Sequence, residues 1–394
     1  MAKQRIGVFG GTFDQVHTGH LQMALSVLAS DKLDRLLVMP SGSPPYKSCL
    51  ASAEDRWKMV VAACAGEERL VPSRLELDRE GDVYTADTLL RLKEEYPRAD
   101  LVYLIGADAL LKLRSWRRFE EILPLCAFWV FPRVSGVDPL AFQEEKKRLS
   151  DMGAKIRVLR ADLMPVSSTE IRAALASGRS APSLPPAVGE LIEAKGLYGF
   201  PVRIPEAASW VDQLFGSLNA HRFAHSLSVA ETARRLALIH GIDPLAAEAA
   251  GLLHDCAKNL PIEEMRRLAE EHALTDDPHF LETGALLHSL AGAWVAEHEY
   301  GMKDPDILDA IRYHNTGCPG MSRLARCVCL ADYIEPLRDP YPTLEKSRSL
   351  SEISLEKALL YSLQGTADYV LSRGKFLHPR TKDTIAWLKT LTEE

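Results

Sequence analysis

At 394 residues the chain is longer than one ordinary hydrophobic core supports, so two domains are expected. Its 46% hydrophobic and 26% charged residues are those of a globular protein in water, and a net charge of -7 argues against coating nucleic acid or lying on a membrane surface. Seven cysteines, an odd number with no Cys-x-x-Cys pair, point to reduced thiols and a cytoplasmic location. No uncharged apolar run reaches spanning length, no signal peptide is read, and Cys327 and Cys329 are expected as core packing rather than a metal pair.

Ile6 to Phe9 reads as a buried strand, and Leu21 to Leu28 as a helix. Between them lies Gly10-Gly11-Thr12-Phe13-Asp14-Gln15-Val16-His17-Thr18-Gly19-His20. Two glycines allow a tight turn and close backbone approach, and the following helix N-terminus offers free N–H groups to phosphate. His17 and His20, three apart, add donors on one side. A second strand, Leu33 to Pro40, ends in Ser41-Gly42-Ser43-Pro44-Pro45-Tyr46-Lys47, where Lys47 is placed to neutralise a triphosphate.

Glu54 to Met59 starts a helix with Arg56 near its beginning, and Arg69 to Leu77 is a candidate strand. Asp82 to Leu89 leads into a helix ending at Tyr96, which Thr85 and Asp87 are suited to cap. Leu101 to Ile105 is the next strand, with Gly106 and Asp108 at its carboxyl end, where a carboxylate can accept ribose hydroxyl protons. Trp116 lies in a polar setting suited to stacking on a flat ring. Further strands are Cys126 to Phe131, ending at Pro132-Arg133, and Ile156 to Leu159. Ser168, Thr169 and Arg172 then open a helix as a second anion site, and a helix from Pro185 to Tyr198 closes the domain. Strands alternating with helices predict a parallel, Rossmann-like α/β sheet over residues 1–200.

Gly-Gly-Thr-Phe-Asp with His-x-Gly-His, Pro-Pro-x-Lys, Tyr-Thr-x-Asp-Thr, Ile-Gly-Ala-Asp, Trp116 and Ser-Ser-Thr-x-Ile-Arg together resemble the bacterial nicotinate-mononucleotide adenylyltransferases, over about residues 5–199. Gln15 stands where proline is usual, and Tyr46 where histidine is common. The resemblance implies AMP transfer from ATP to nicotinate mononucleotide, with Mg²⁺ bridging the phosphates. It assigns Gly10, Gly11, Thr12 and Phe13 to the ATP loop, and His17, His20, Lys47, Ser168, Thr169 and Arg172 to phosphates. Gly106 and Asp108 hold adenosine; Lys47, Thr85, Asp87, Trp116 and Arg133 hold the second substrate. A pantetheine-phosphate adenylyltransferase is the nearest rival, disfavoured by Tyr84 to Thr88 and by Trp116.

Phe200 to Pro205, broken by two prolines, reads as a linker. Beyond it strand signals stop, and helical periodicity over 209–218, 225–240, 244–255, 285–299, 304–314, 322–334, 354–373 and 382–391 predicts an all-α domain over 207–394. His225, His254, Asp255, His288, His314 and Asp332 each sit on or beside an apolar segment, where an unpaired ionisable group is costly. Six such groups are better explained by metal. His240, His272, His279 and His298 are read as surface or packing residues.

The order His, His-Asp, His, His, Asp, with flanks Ala-His-Ser-Leu-Ser-Val, Leu-Leu-His-Asp-Cys-Ala-Lys and Ala-Asp-Tyr-Ile-Glu-Pro, resembles the HD hydrolases that split diadenosine tetraphosphate symmetrically. The resemblance implies one metal on His225, His254, Asp255 and Asp332, and a second on Asp255, His288 and His314, with iron the family's expectation. Asp255 is the candidate catalytic residue, and Lys258 is suited to offset polyphosphate charge. The whole chain is thus expected to be a bifunctional cytoplasmic enzyme using ATP, nicotinate mononucleotide and diadenosine tetraphosphate, with homo-oligomerisation left open. A different nucleotide phosphohydrolase, or a non-catalytic sensing or dimerisation module, is the alternative for the second half.

Overall fold

The computed structural model describes residues 4–30, 33–42, 49–79, 81–131, 137–159, 166–282 and 284–393. The chain divides into two compact units: 1–188 with 197–200, and 189–196 with 201–394. The helix Pro186–Ala194 therefore contributes its first residues to one unit and the rest to the other.

In the first unit six parallel strands are ordered β3-β2-β1-β4-β5-β6: β1 Arg5–Gly11, β2 Arg35–Pro40, β3 Leu70–Pro72, β4 Asp100–Gly106, β5 Ala127–Phe131 and β6 Lys155–Val158. Apolar runs such as Ile6-Gly7-Val8-Phe9 and Leu101 to Ile105 are buried on both faces, as parallel strands require. Ile6, Val8, Met39, Tyr103 and Ile105 pack with Leu89, Leu92, Leu110 and Phe128 in one core. Strand order reverses between β1 and β4, so the crevice beyond their carboxyl ends is the expected ligand position.

Three expectations change here. The strand read over 69–77 shrinks to Leu70–Pro72, because Pro72 has no N–H to extend a ladder. A helix over Pro139–Asp151, capped by Asp138, lay unread in a strongly charged stretch. Neither Thr85 nor Asp87 caps the helix Thr85–Glu95; Tyr84 holds the cap position without a side-chain hydrogen bond.

The second unit is helical throughout its described residues. The long helix Ala220–His240 is capped by Asn219, which accepts from the Arg222 N–H, and packs along Pro244–Leu253. A Cβ at Gly251 would lie 2.9 Å from the Ala230 Cα, so only glycine permits this close approach. Gly284–His298, Pro305–Tyr313 and Arg323–Ile334 complete the surround of the central histidines, with buried Cys327 and Cys329 packed inside. Helices Ile262–Glu271 and Leu344–Ser351 are additions to the sequence reading.

A buried ionic cluster also belongs to this unit. Arg203 pairs with Glu193, with Glu248 at 3.0 Å and with Glu190 at 3.6 Å, and Arg234 lies 3.6 Å from Glu248. Burial, reinforced by the Glu248 charge, pushes the Glu190 carboxyl well above its ordinary range.

Candidate active sites

The first site grows from the turn after β1. A Cβ on Gly10 would come within 2.7 Å of the Tyr103 hydroxyl, so glycine lets β1 and β4 converge here. Trp116 meets the Tyr103 ring edge-on at 6.1 Å, and the Thr85 side chain is close enough to the Tyr103 phenol to favour its ionised form against burial. Gly10, Thr85 and Trp116 are thereby gathered around one buried tyrosine.

Phe13 is buried, and the loop beyond it folds back through Asp14, whose carboxylate accepts from the Leu50 and Ala51 N–H groups and from the Tyr198 hydroxyl. His17 and His20 stack with centroids 3.6 Å apart at the start of the helix Thr18–Ser30. The His17 N–H donates to His20 Nδ1 at 3.3 Å, so a neutral His20 carries its proton on Nε2.

The helix Ser168–Ala176 reaches the same loop. Arg172 donates to the Asp14 carbonyl at 2.9 Å, and Gln15 Nε2 donates to the Ser168 carbonyl at 3.2 Å. Ser168 and Thr169 occupy the first turn, while Ser167 is the cap, accepting from the Glu170 N–H. Gly106 ends β4, and exposed Asp108 follows in the first turn of Ala107–Leu111. Asp87 is held by Arg118 at 2.5 Å and lies 3.8 Å from Arg79. Lys47 and Arg133 lie outside the described residues.

In the second unit Asp255 lies between two sets of imidazoles. Its Oδ2 is 3.7 Å from His254 Nε2 and 3.9 Å from His225 Nε2; its Oδ1 is 3.3 Å from His288 Nε2 and 3.6 Å from His314 Nε2. Asp332 Oδ1 stands 3.0 Å from His225 Nε2. His225, His254 and Asp332 bring ligand atoms within 4.8 Å of one another, as do His254, Asp255 and His314.

Tautomers follow from the hydrogen bonds. Nδ1 of His254, His288 and His314 each faces a backbone carbonyl three residues back, at 2.7, 2.8 and 2.7 Å. A carbonyl only accepts, so each Nδ1 carries the proton and each Nε2 presents a lone pair to the centre. His288 Nε2 and His314 Nε2 are only 3.1 Å apart, and the buried Asp255 Oδ1 accepts no hydrogen bond among the described residues. Facing lone pairs beside an unsatisfied carboxylate oxygen suit a cation, so the donor set fits bound metal.

Burial lowers His254 to about 4 and His288 to about 3, keeping both imidazoles neutral at physiological pH. Burial opposes the Asp255 anion, yet His254, Lys258, His288 and His314 together hold its carboxyl far below the usual range.

Comparison with known proteins places both halves. The cytidylyltransferase-like family matches residues 8–174, and the HD domain family matches 222–337. A Mycoplasma genitalium protein named "Probable nicotinate-nucleotide adenylyltransferase/Ap4A hydrolase" is 28% identical over 92% of this chain and 97% of its own. A Gloeobacter violaceus "Probable nicotinate-nucleotide adenylyltransferase" is 38% identical, covering 50% of this chain and 98% of its own. The Bacillus subtilis "Bis(5'-nucleosyl)-tetraphosphatase, symmetrical" is 38% identical, covering 46% and 96%. The chain belongs to both families, one in each half.

Several residues around these family sites take roles that the sequence alone did not assign. In the adenylyltransferase half, Arg56 is 2% exposed and donates to the carbonyls of Thr12, Ser41 and Gly42, joining the loops after β1 and β2. A cation in a first helical turn opposes the helix dipole, and that was its visible signal. In the HD half, Glu335 accepts a hydrogen bond from His225 Nδ1 at 3.0 Å. Three residues beyond Asp332, it shares that aspartate's helical face. Arg222 and Arg338 reach Asp255 and Asp332. His240 bonds the Ser351 carbonyl, and His272 and His298 stack on Trp294. Among the described residues no helix is long and apolar enough to cross a membrane.

Proposed function

We propose that the first unit transfers AMP from ATP to nicotinate mononucleotide, and that the second cleaves diadenosine tetraphosphate into two ADP. The observation carrying this reading is the pair of unlike centres: stacked imidazoles at a glycine-loop helix start, and four Nε2 atoms converging on the Asp255 carboxylate.

In the transferase the phosphate oxygen of nicotinate mononucleotide attacks the ATP α-phosphorus in line, and pyrophosphate leaves. No covalent enzyme intermediate is needed, so the protein positions the reactants and stabilises charge. His20 donates its Nε2 proton toward a phosphate oxygen; His17, Ser168, Thr169, Lys47 and Arg172 supply further donors. Gly10 to Phe13 let the triphosphate approach the backbone, and Gly106 and Asp108 face adenosine. Thr85 and Trp116, set around Tyr103, hold the pyridine nucleotide, and Asp87 and Arg133 are assigned to the same substrate. Mg²⁺ would supply additional charge neutralisation on the phosphates.

In the hydrolase His225, His254, Asp255 and Asp332 would hold one metal ion, and Asp255, His288 and His314 a second, with iron the proposed element. Such ions, when bound, acidify water and stabilise charge on attacking and leaving oxygens. Glu335 fixes the His225 tautomer, and three backbone carbonyls fix the other imidazoles. Lys258, whose Nζ lies 2.9 Å from His288 Nε2, stands at the rim to meet the polyphosphate. Seven cysteines, an odd number with no Cys-x-x-Cys pair, support a cytoplasmic enzyme.

The test is a mass-resolved product assay on the full chain. ATP with nicotinate mononucleotide should give deamido-NAD and pyrophosphate; no turnover ends the first half of the reading. Diadenosine tetraphosphate should give ADP alone, whereas AMP plus ATP refutes symmetrical cleavage. Asp255→Asn should abolish hydrolysis and spare adenylyl transfer.

A further inference from the structure

Partly exposed cations stand against both carboxylates of the second site. Asp255 is 3% exposed at its side chain, whereas Arg222, which donates to its Oδ2 at 3.1 Å, is 30% exposed. Arg338 pairs with Asp332 Oδ1, donates through Nε to the Asp332 carbonyl at 2.6 Å, and is 32% exposed. Lys258, 25% exposed, is the third, 3.8 Å from Asp255 Oδ1. Each guanidinium has five N–H donors and spends one or two on its aspartate.

We propose that Arg222 and Arg338 bind phosphates of the substrate beside the reacting phosphorus. The assignment rests on the dinuclear-hydrolase reading above and extends it to two residues outside the ligand set. Asp255 and Asp332 orient the two side chains, so the donors are preorganised before substrate arrives. Planar guanidiniums match phosphate oxygens in paired, charge-assisted hydrogen bonds. Asp255 Oδ2 and Asp332 Oδ1 both stand within 4 Å of His225 Nε2 and of His254 Nε2, at 3.9, 3.7, 3.0 and 3.9 Å, so the two guanidiniums serve the same end of the centre and offer donors to phosphates bound there. The cationic mouth also attracts a polyanion from solution.

The experiment uses the full chain loaded with metal, comparing wild type with Arg222→Met, Arg338→Met and the charge-retaining Arg338→Lys. Metal content per chain, KM for diadenosine tetraphosphate and the inhibition constant of ADP against hydrolysis are measured together. Loss of a charge-assisted contact should raise KM and the ADP inhibition constant roughly ten- to hundredfold while metal content stays at the wild-type value. Arg338→Lys should recover part of the ADP affinity. Metal content falling in step with activity would overturn the proposal, making the arginines supports of the ligands. Unchanged ADP inhibition in both methionine variants would overturn it too. A wild-type chain that binds no metal would instead sink the hydrolase reading itself.

Discussion

The Tyr198 hydroxyl donates to Asp14 Oδ1 at 2.8 Å across 184 positions of sequence. It ties the last segment of the first unit to the loop that precedes His17. Burial and the Asp14 charge raise the Tyr198 phenol well above its ordinary value, so it stays a donor throughout the working range. Tyr198→Phe leaves Asp14 with the Leu50 and Ala51 N–H groups alone. A hydrogen bond to a charged group contributes roughly 1.5–3 kcal/mol net, and that is the expected loss in chemical denaturation of the first unit. The KM for ATP should rise, and hydrolysis of diadenosine tetraphosphate should be untouched. Unaltered stability and KM would show that the loop needs no such tie.

Glu335 holds His225 without being one of the proposed metal ligands. Its carboxylate accepts a hydrogen bond from His225 Nδ1 and also from the Leu337 N–H at 2.6 Å, which fixes its own rotamer. Glu335→Gln keeps the volume but replaces an anionic acceptor with an amide that is free to turn its NH₂ toward His225. Outer-sphere changes of this kind cost about ten- to hundredfold in metal affinity. Competition against a chelator of known affinity should show that loss, with adenylyl transfer unaffected. Equal affinity would mean that the His225 tautomer is set elsewhere.

What was legible in the sequence had a local cause. Buried parallel strands announce themselves as apolar runs, and His254 and His314 stand out at the ends of apolar helices. The residues whose roles went unassigned act across distance. Arg56 satisfies carbonyls on two other loops, Tyr103 serves as an ordinary core aromatic until Gly10 and Thr85 close on it, and Glu335 matters only through His225. The helix Pro139–Asp151 escaped notice because Glu144, Glu145, Lys146, Lys147 and Arg148 interrupt its apolar stripe. Asp87 looked like a cap or a substrate ligand, and the salt bridge to Arg118 gives it a third occupation.

Glu190 gives the second unit a pH dependence of definite sign. Burial and the Glu248 charge raise its folded-state pKa above the ordinary 4.5. Below that ordinary value the carboxyl is neutral in both folded and unfolded chains and makes no difference. Above it, the unfolded chain ionises first, so stability falls as pH rises toward the folded-state pKa. Glu190→Gln removes the titration while keeping the shape. Denaturant titrations should show the variant near wild type at about pH 5 and increasingly the more stable of the two toward pH 8. A constant difference across that range would place the folded-state pKa at its ordinary value.

The same cluster decides where the second unit can be cut. A fragment starting at residue 207 loses Glu190, Glu193 and Arg203 together, leaving buried Glu248 with Arg234 at 3.6 Å. A complete buried ion network is often no better than an apolar one, but removing one partner strands a charge at a cost of about 3–5 kcal/mol. Here both arginines are partly exposed, at 20% and 18% of their side chains, so screening reduces the expected loss to roughly 1–3 kcal/mol. A fragment starting at residue 186 keeps the whole network and the Lys195–Asp212 pair. Thermal melts of the two fragments, each loaded with the same metal, should therefore differ by several degrees in favour of the longer one. Coincident melts would mean that the helix Pro186–Ala194 contributes nothing to the hydrolase unit, and that the cut at 207 is harmless.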